Sequence, residues 1–476
     1  LFIGRLSWQP LRGEVCSMLT VIGELLCHGS NLLIFMIIFP VICSILLLAL
    51  GKHKAFSTVI SGAFAVLNLL FATALHGYGE FFTEIPYTSY GFEFVLRSYS
   101  LSTLFLLLVA AVFSLIIIYI LNAMKDSGHR QWYLFYMFLS LGMINGTLLS
   151  EDLGIMLFFA EGLLAVIFGI LLLGNSENPK AATKAIGTLG VAVLTFMFGI
   201  VLTVHMAHTG LMEEIQRLPA EGENAAGFLC IMIGALGIAG LMPFHGWTID
   251  AAEDSSAVFT AAFPGSLLKI LGVYISVRLL EVYGLIPGSN AATILIALGA
   301  LSLVFGGAMA LVQKNMSRLM AYISTSLLGL IVLCMVNGVS SVVIVTVLGL
   351  LILLNMVLLF TGNGKSGSEA KPDFEETYGV ADKVRNTFLL KGIYNIADKG
   401  WLDPYNWLMA FIGVFSDICT TIEHGISWIY DKGIPGLVNK AGTVLQDFNT
   451  GSLTRYLSLV VAGVFLIVVI FLIMLL

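Results

Sequence analysis

Stretches of about twenty apolar residues, each long enough to cross the hydrocarbon of a bilayer, follow one another along this chain, with most charges held in the gaps. The pattern predicts spans at 31–50, 55–76, 101–123, 131–149, 153–174, 181–207, 227–243, 255–282, 290–312, 316–337, 339–360 and 453–476. Within 77–100, Phe92, Phe94 and Leu96 alternate with polar neighbours, the signature of a short β-hairpin. After Phe360 the pattern changes. Residues 361–377 form a polar linker containing glycine and serine. From Trp401, Leu408, Phe411, Phe415, Ile418, Ile422, Ile426 and Ile429 share one helical face, while Asp417, Thr420, His424, Ser427 and Asp431 share another. Pro435 opens a second amphipathic piece, Leu437 to Phe448, and Asn449 to Ser452 turn into the last span. Such helices lie along a membrane surface or along partner subunits.

Composition agrees with this reading. Of 476 residues, 58% are hydrophobic and 11% charged, against about 25% charged in soluble proteins. The mean hydropathy is +0.97. This is an integral membrane protein. The net charge of −6 is spread thinly and makes no case for nucleic acid. Six scattered cysteines without a C-x-x-C suggest neither a zinc nor an iron–sulfur site. Lys52, Lys54, Lys125, Arg130, Lys180, Lys184, Lys314 and Arg318 collect on one side of the membrane. Arg97, Arg217 and Arg278 collect on the other, among many glutamates. By the positive-inside rule the N-terminus is outside. Residues 1–30 are too charged for a span: either a functional extension or translation begun upstream of a natural start such as Met18.

Candidate chemistry gathers where regular apolar helix is interrupted. Glu161 is the only carboxylate well inside a predicted span, and Lys269 the only lysine so placed. An ionised side chain there costs about 2.5–3.5 kcal/mol on insertion scales, so it marks an ion path by default. Pro243, Pro264 and Gly265 break the flanking helices, and broken backbone at membrane depth is tolerated only against protein or a wet cavity. The reading is that Glu161 and Lys269 form a coupled proton relay; the alternative is a static buried ion pair. His245, at the inner end of the seventh span, either passes protons to Lys269 or merely bonds loop backbone. Lys184 is a tuning charge or a positive-inside anchor. Asp250, Glu253 and Asp254 gather cations at an inner mouth or cap a helix. His205 and His208 read as interfacial polar residues.

The run LMPFHGWTIDAAED followed by SLLKILGVY resembles the antiporter-like subunits of respiratory complex I. That family includes Mrp cation/proton antiporter subunits and the membrane arms of energy-converting NiFe hydrogenases. FFAEGLLAVIFGILL resembles the family's fifth helix with its essential glutamate, here Glu161, and NPKAATKAIG the entry to the sixth, with Lys184. ALVQKNMSRLMAYISTSLLGL resembles the ninth-to-tenth helix passage through Arg318, Ala321, Tyr322, Ser324, Thr325 and Ser326. YGFEFVLRSYSLSTLFLLLVA resembles the hairpin entering the third helix, and the tail from Trp428 resembles a lateral helix with a final anchor.

Departures accompany the likeness. The family's core has about fourteen spans in two inverted repeats, and no three-span block fits between Phe360 and Trp401. The seventh-helix lysine becomes Ile238, the lysine before the tenth-helix arginine becomes Ser317, and an eleventh-helix His/Lys series becomes Val347, Leu351 and Asn355. Lys269 stands close to the eighth-helix lysine of Mrp-type and hydrogenase-type members.

The expected architecture is an all-α integral membrane bundle of the complex I antiporter-like kind with a truncated second inverted repeat, an amphipathic lateral helix and a C-terminal anchoring span. Its parts are an N-terminal extension (1–30), N-terminal spans with an outer hairpin (31–123), a first repeat with the broken helix (124–282), a partial second repeat (283–360), an inner-side linker (361–400), the lateral-helix region (401–450) and the anchor (451–476). The resemblance implies a proton- or sodium-translocating, non-catalytic subunit of a redox complex in a prokaryotic cytoplasmic membrane. It holds no cofactor itself; iron–sulfur clusters, and NiFe in hydrogenase-type complexes, belong to partner subunits of a hydrophilic arm. The alternatives are a structural adaptor between membrane subunits and a stand-alone cation/proton antiporter.

Overall fold

The computed structural model describes residues 29–361, apart from 52, 88–91, 126–127, 175–178, 216–217, 255–256 and 314–315, and then 404–428, 431–432, 434–448, 456–463 and 466. Expectations for the N-terminal extension, the inner-side linker and most of the anchoring span lie outside the described residues. The described chain is built of helices α1 (Gly29–Leu50), α2 (Lys54–Tyr78), α3 (Ser100–Ala123), α4 (Arg130–Leu149), α5 (Leu153–Gly174), α6 (Pro179–Ala207), α7 (Asn224–Ala239), α8 (Gly246–Asp254), α9 (Ala257–Ala262), α10 (Leu268–Val282), α11 (Asn290–Ala310), α12 (Met316–Val336) and α13 (Ser341–Thr361). Nine stretches among the described residues are long and apolar enough to cross a membrane, and α7 and the Ser341–Met356 part of α13 are shorter apolar stretches. The molecule is a multi-pass integral membrane protein.

The hairpin forms as the alternation predicts. β1 (Phe81–Tyr87) pairs antiparallel with β2 (Phe92–Ser98), with Phe82 opposite Arg97. β2 departs from strict alternation, because both Val95 and Leu96 are buried. The strand is pinned to the α4–α5 turn through a bridge from Leu96 to Ser150 and a bond from the Glu151 amide to the Val95 carbonyl.

The seventh span ends earlier than its apolar run. Gly240 adopts φ +87°, the left-handed cap that favours glycine, so α7 stops at Ala239. The chain crosses Pro243 and His245 before α8 begins, so the break expected at Pro243 is present. The break expected at Pro264 and Gly265 takes another form. Proline removes one backbone donor, and the helix widens into a single π turn, Phe263–Leu267, without interruption. Ser266 sits in that turn and donates its hydroxyl to the carbonyls of Ala261 (2.7 Å) and Ala262 (2.9 Å). Val258–Val282 therefore runs as one span, and 94% of its most apolar window is buried, more than in any other described span. It is enclosed by protein, not lipid.

Helix α10 packs directly on α7. A β-carbon on Gly272 would clash with the Ala235 carbonyl and lie 2.7 Å from the Ala239 β-carbon. The chain divides into two compact units, residues 1–406 and 407–476. Helix α14 (Pro404–Trp428) crosses that division, and α15 (Ile434–Phe448) follows within the second unit. Trp407, Phe411, Phe415, Ile418 and Ile422 along α14 are exposed.

Replacing Gly272 with leucine must drive α10 off α7, with an overpacking cost of about 1–3 kcal/mol. Thermal unfolding of the purified complex should show a clear loss for Gly272→Leu and little for Gly349→Ala, where a β-carbon meets nothing within 4 Å.

Candidate functional site

Lys269 lies two residues past the π turn, 1% exposed. Its Nζ donates to the carbonyl of Ala239 at 3.2 Å. That oxygen closes α7 at the break, where helix-end carbonyls lack intrahelical donors and the dipole favours a cation. A small cavity beside the ammonium is lined by Thr248 of α8, Thr260 of α9, Pro264 and Gly265 of the π turn, Ser324 of α12 and Asn355 of α13. Its volume is about 10 Å³, close to the minimum for one water. Asn355 and Ser324 bond each other at 2.8 and 3.2 Å. The π turn and the broken span thus meet at one lysine.

Toward the end opposite the hairpin, the Lys184 ammonium of α6 stands 2.6 Å from the Asp250 carboxylate of α8, both partly exposed. Lys184 therefore engages the distal half of the broken span. His245 is buried in the break. Its Nδ1 lies 3.2 Å from the Pro243 carbonyl, its own carbonyl accepts from the Thr248 hydroxyl, and its ring packs edge-on against Phe305. The Glu253 and Asp254 side chains lie outside the described residues.

The expected pairing of Glu161 with Lys269 is not formed. Glu161 is exposed, on an α5 stripe shared with exposed Phe158, Phe168 and Leu172, whereas Leu163, Ile167 and Ile170 face the bundle. Helical spacing turns the carboxylate outward, away from the enclosed span that carries Lys269. Because α5 is apolar all round, its periodicity alone cannot tell which side faces in.

A second ionic cluster, at the hairpin end, is not anticipated by the sequence. Glu151 is 1% exposed and accepts two bonds of 2.9 Å from Nη2 of Arg278 on α10. Arg97 of β2 reaches Glu151 at 3.7 Å and Glu213, whose side chain is 65% exposed, at 3.3 Å. The Arg278 guanidinium lies 4.3 Å from the centre of the Tyr99 ring, and the Tyr99 hydroxyl is 3.1 Å from that of Tyr274. Tyr274 donates to the Leu148 carbonyl at 2.6 Å. Burial pushes the Glu151 carboxyl up from the usual carboxylate range, against the pull of Arg278 and Arg97. The signal that points to the cluster is Arg278 itself, an arginine inside an apolar helix that needs a buried partner. Among the described residues no group of three or more His, Cys, Asp or Glu side chains is arranged to hold a metal ion.

Fold and site together define a multi-pass helical bundle organised on a discontinuous span. A profile described as NADH:quinone oxidoreductase/Mrp antiporter, TM, matches residues 150–400, and the chain belongs to that family. It is 26% identical over 245 residues to NADH-quinone oxidoreductase subunit L of Campylobacter jejuni, an alignment covering 51% of this chain and 39% of that protein. To a Na(+)/H(+) antiporter subunit of Alkalihalophilus pseudofirmus it is 26% identical over 317 residues, covering 64% of this chain and 63% of the relative. In each case the chain spans less than two thirds of the relative's length. In fold it matches a chain of the membrane-bound sulfane sulfur reductase, an archaeal respiratory membrane complex, with a TM-score of 0.59 at 22% identity, over 69% of this chain and 71% of that one. The Mrp complex of a Dietzia species gives 0.62 at 18% identity, over 69% and 63%.

Removing Glu151 would strand the Arg278 charge inside the protein, at a cost of about 3–5 kcal/mol. Glu151→Ala should therefore lower the melting temperature of the assembled protein sharply. Glu213→Ala, at the exposed rim, should change stability by less than about 1 kcal/mol.

Proposed function

We propose that this chain is an ion-translocating, antiporter-like subunit of a redox-driven membrane complex, with Lys269 as the proton-carrying group of its path. The observation that carries the reading is the placement of Lys269: an ammonium deep inside the bundle, at the end of a broken helix and beside a small cavity whose lining includes Thr248, Thr260, Ser324 and Asn355. Intramembrane ionisable groups of this kind mark ion pathways, and broken helices form such sites in transporters. Lys184 and Asp250 would guard the entrance from the side opposite the hairpin, and His245 would hand protons across the break. The N-terminus would lie outside a prokaryotic cytoplasmic membrane. Electron transfer, iron–sulfur clusters and any NiFe centre would belong to partner subunits, in keeping with the quinone oxidoreductase and sulfane sulfur reductase relatives.

Glu161 then has a different task from pairing with Lys269. A carboxylate facing lipid is costly, so its outward position favours a neighbouring membrane subunit that covers it with polar groups. The relay becomes one that crosses the subunit boundary.

A second reading draws on the same outward Glu161 and on the exposed apolar residues of α14: an adaptor that ties membrane subunits together and conducts nothing. The two separate cleanly. With Lys269→Met in the intact complex, assembly should persist while ion-coupled turnover falls by about a hundredfold or more, as expected for loss of a proton-transfer group. Unimpaired transport by the assembled variant would leave the adaptor, and deletion of 404–448 should then abolish assembly.

A further inference from the structure

Two helices start side by side at the end opposite the hairpin, both without an acid in the first turn. They run in the same direction: the Arg130 guanidinium of α4 reaches the Thr58 hydroxyl of α2, and farther along Phe138 meets Phe64 with ring centroids 6.2 Å apart. Neither His53 before α2 nor His129 before α4 caps its helix with a side-chain hydrogen bond. Such starts carry orphan amides and the positive ends of two helix dipoles, and they gather anions.

Between them lies an arginine that no carboxylate matches. Arg130 is 6% exposed, and among the described residues no ion pair includes it. Its Nε is buried without a hydrogen-bond partner. Its Nη2 donates to Thr58, whose own hydrogen goes to the Lys54 carbonyl at 2.7 Å. Thr58 therefore answers the guanidinium with a lone pair and no charge. The carbonyl end of α1 is engaged by Gln131 instead, which donates to the Leu48 carbonyl. A buried charge calls for a counter-charge, and the planar fork of arginine fits two oxygens of one phosphate. The outward surface around Thr58 is apolar, with Phe56, Val59 and Trp132 exposed.

We propose that the paired starts of α2 and α4 bind one anionic phospholipid. Arg130 and the two first turns hold its phosphodiester, and Phe56, Val59 and Trp132 carry its acyl chains. Basic pockets between membrane helices take anionic headgroups in this way. The apolar surface beside the charge argues for a lipid as the source of the phosphate. The site stands apart from Lys269 and does not depend on the role of that residue.

The test uses the intact complex, stripped of loosely held lipid in a neutral detergent and titrated with phosphatidylglycerol. Native mass spectrometry should find one more tightly held phosphatidylglycerol on the wild type than on Arg130→Gln. That variant should raise the half-saturating lipid concentration for this site about tenfold or more, the loss of hydrogen bonds made to a charge. Lys125→Gln, which removes an exposed charge at the same end, should change it by less than about twofold, as exposed charges contribute little. Arg130→Lys keeps the charge but loses the fork; it should weaken binding more than Lys125→Gln does, and it serves where Arg130→Gln fails to assemble. Equal weakening by the Arg130 and Lys125 variants would reveal diffuse attraction to the membrane and overturn the site. So would lipid binding that neither Arg130 variant weakens. Displacement of the lipid by inorganic phosphate overturns it as well, because the acyl chains would then contribute nothing.

Discussion

The bond from the Lys269 ammonium to the Ala239 carbonyl ties the architecture together. Helix α7 stops at Ala239 because Gly240 turns left-handed, and a helix stopped within the bundle leaves carbonyls that need donors. The neighbouring span supplies one from a lysine. The lysine in turn needs a place where its charge is tolerated, and the carbonyl end of α7 provides it. Neither feature is comfortable alone. Gly272 lets α10 close on α7 without an intervening side chain, which holds donor and acceptor in reach.

Around this bond the two ends of the bundle are built differently. At the hairpin end, Glu151, Arg278 and Arg97 fasten the α4–α5 turn, α10 and β2 around a buried carboxylate, and the Tyr99 and Tyr274 hydroxyls extend the closure inward. At the other end Lys184 and Asp250 form a partly exposed pair, which solvent and salt can weaken. The contrast is between a buried ionic cluster and a partly exposed pair. The broken span runs toward the weaker end through α8.

Much of this is legible in the residues. Apolar run lengths set the spans to within a few residues, and Pro243 with its glycine-rich approach locates the break. Lys269 stands out because a lysine midway along a long apolar helix has few explanations. Three things are not legible. The side of α5 on which Glu161 emerges cannot be read where every face is apolar. The π turn at Pro264 and Gly265, within which Ser266 bonds the Ala261 and Ala262 carbonyls, is not legible where proline and glycine together read as a break. The clasp of Arg278 on Glu151 joins residues 127 positions apart, and along the sequence Glu151 reads as a surface charge beside a loop.

The outward Glu161 also bears on the order of events during biogenesis. Helix α5 carries fourteen Leu, Ile, Phe and Val residues, each favouring insertion by about 0.3–0.6 kcal/mol near the bilayer centre. Together they outweigh the roughly 3 kcal/mol that a carboxylate at membrane depth costs. The helix can therefore be threaded into the bilayer by itself, as an ordinary hydrophobic segment would be. Once there, it keeps a polar group on the outward side of the bundle, and on the proposed reading that group waits for a neighbouring helix to shelter it. On that reading insertion needs no partner while residence does, and a newly made chain would carry on its flank a marker of its own incompleteness.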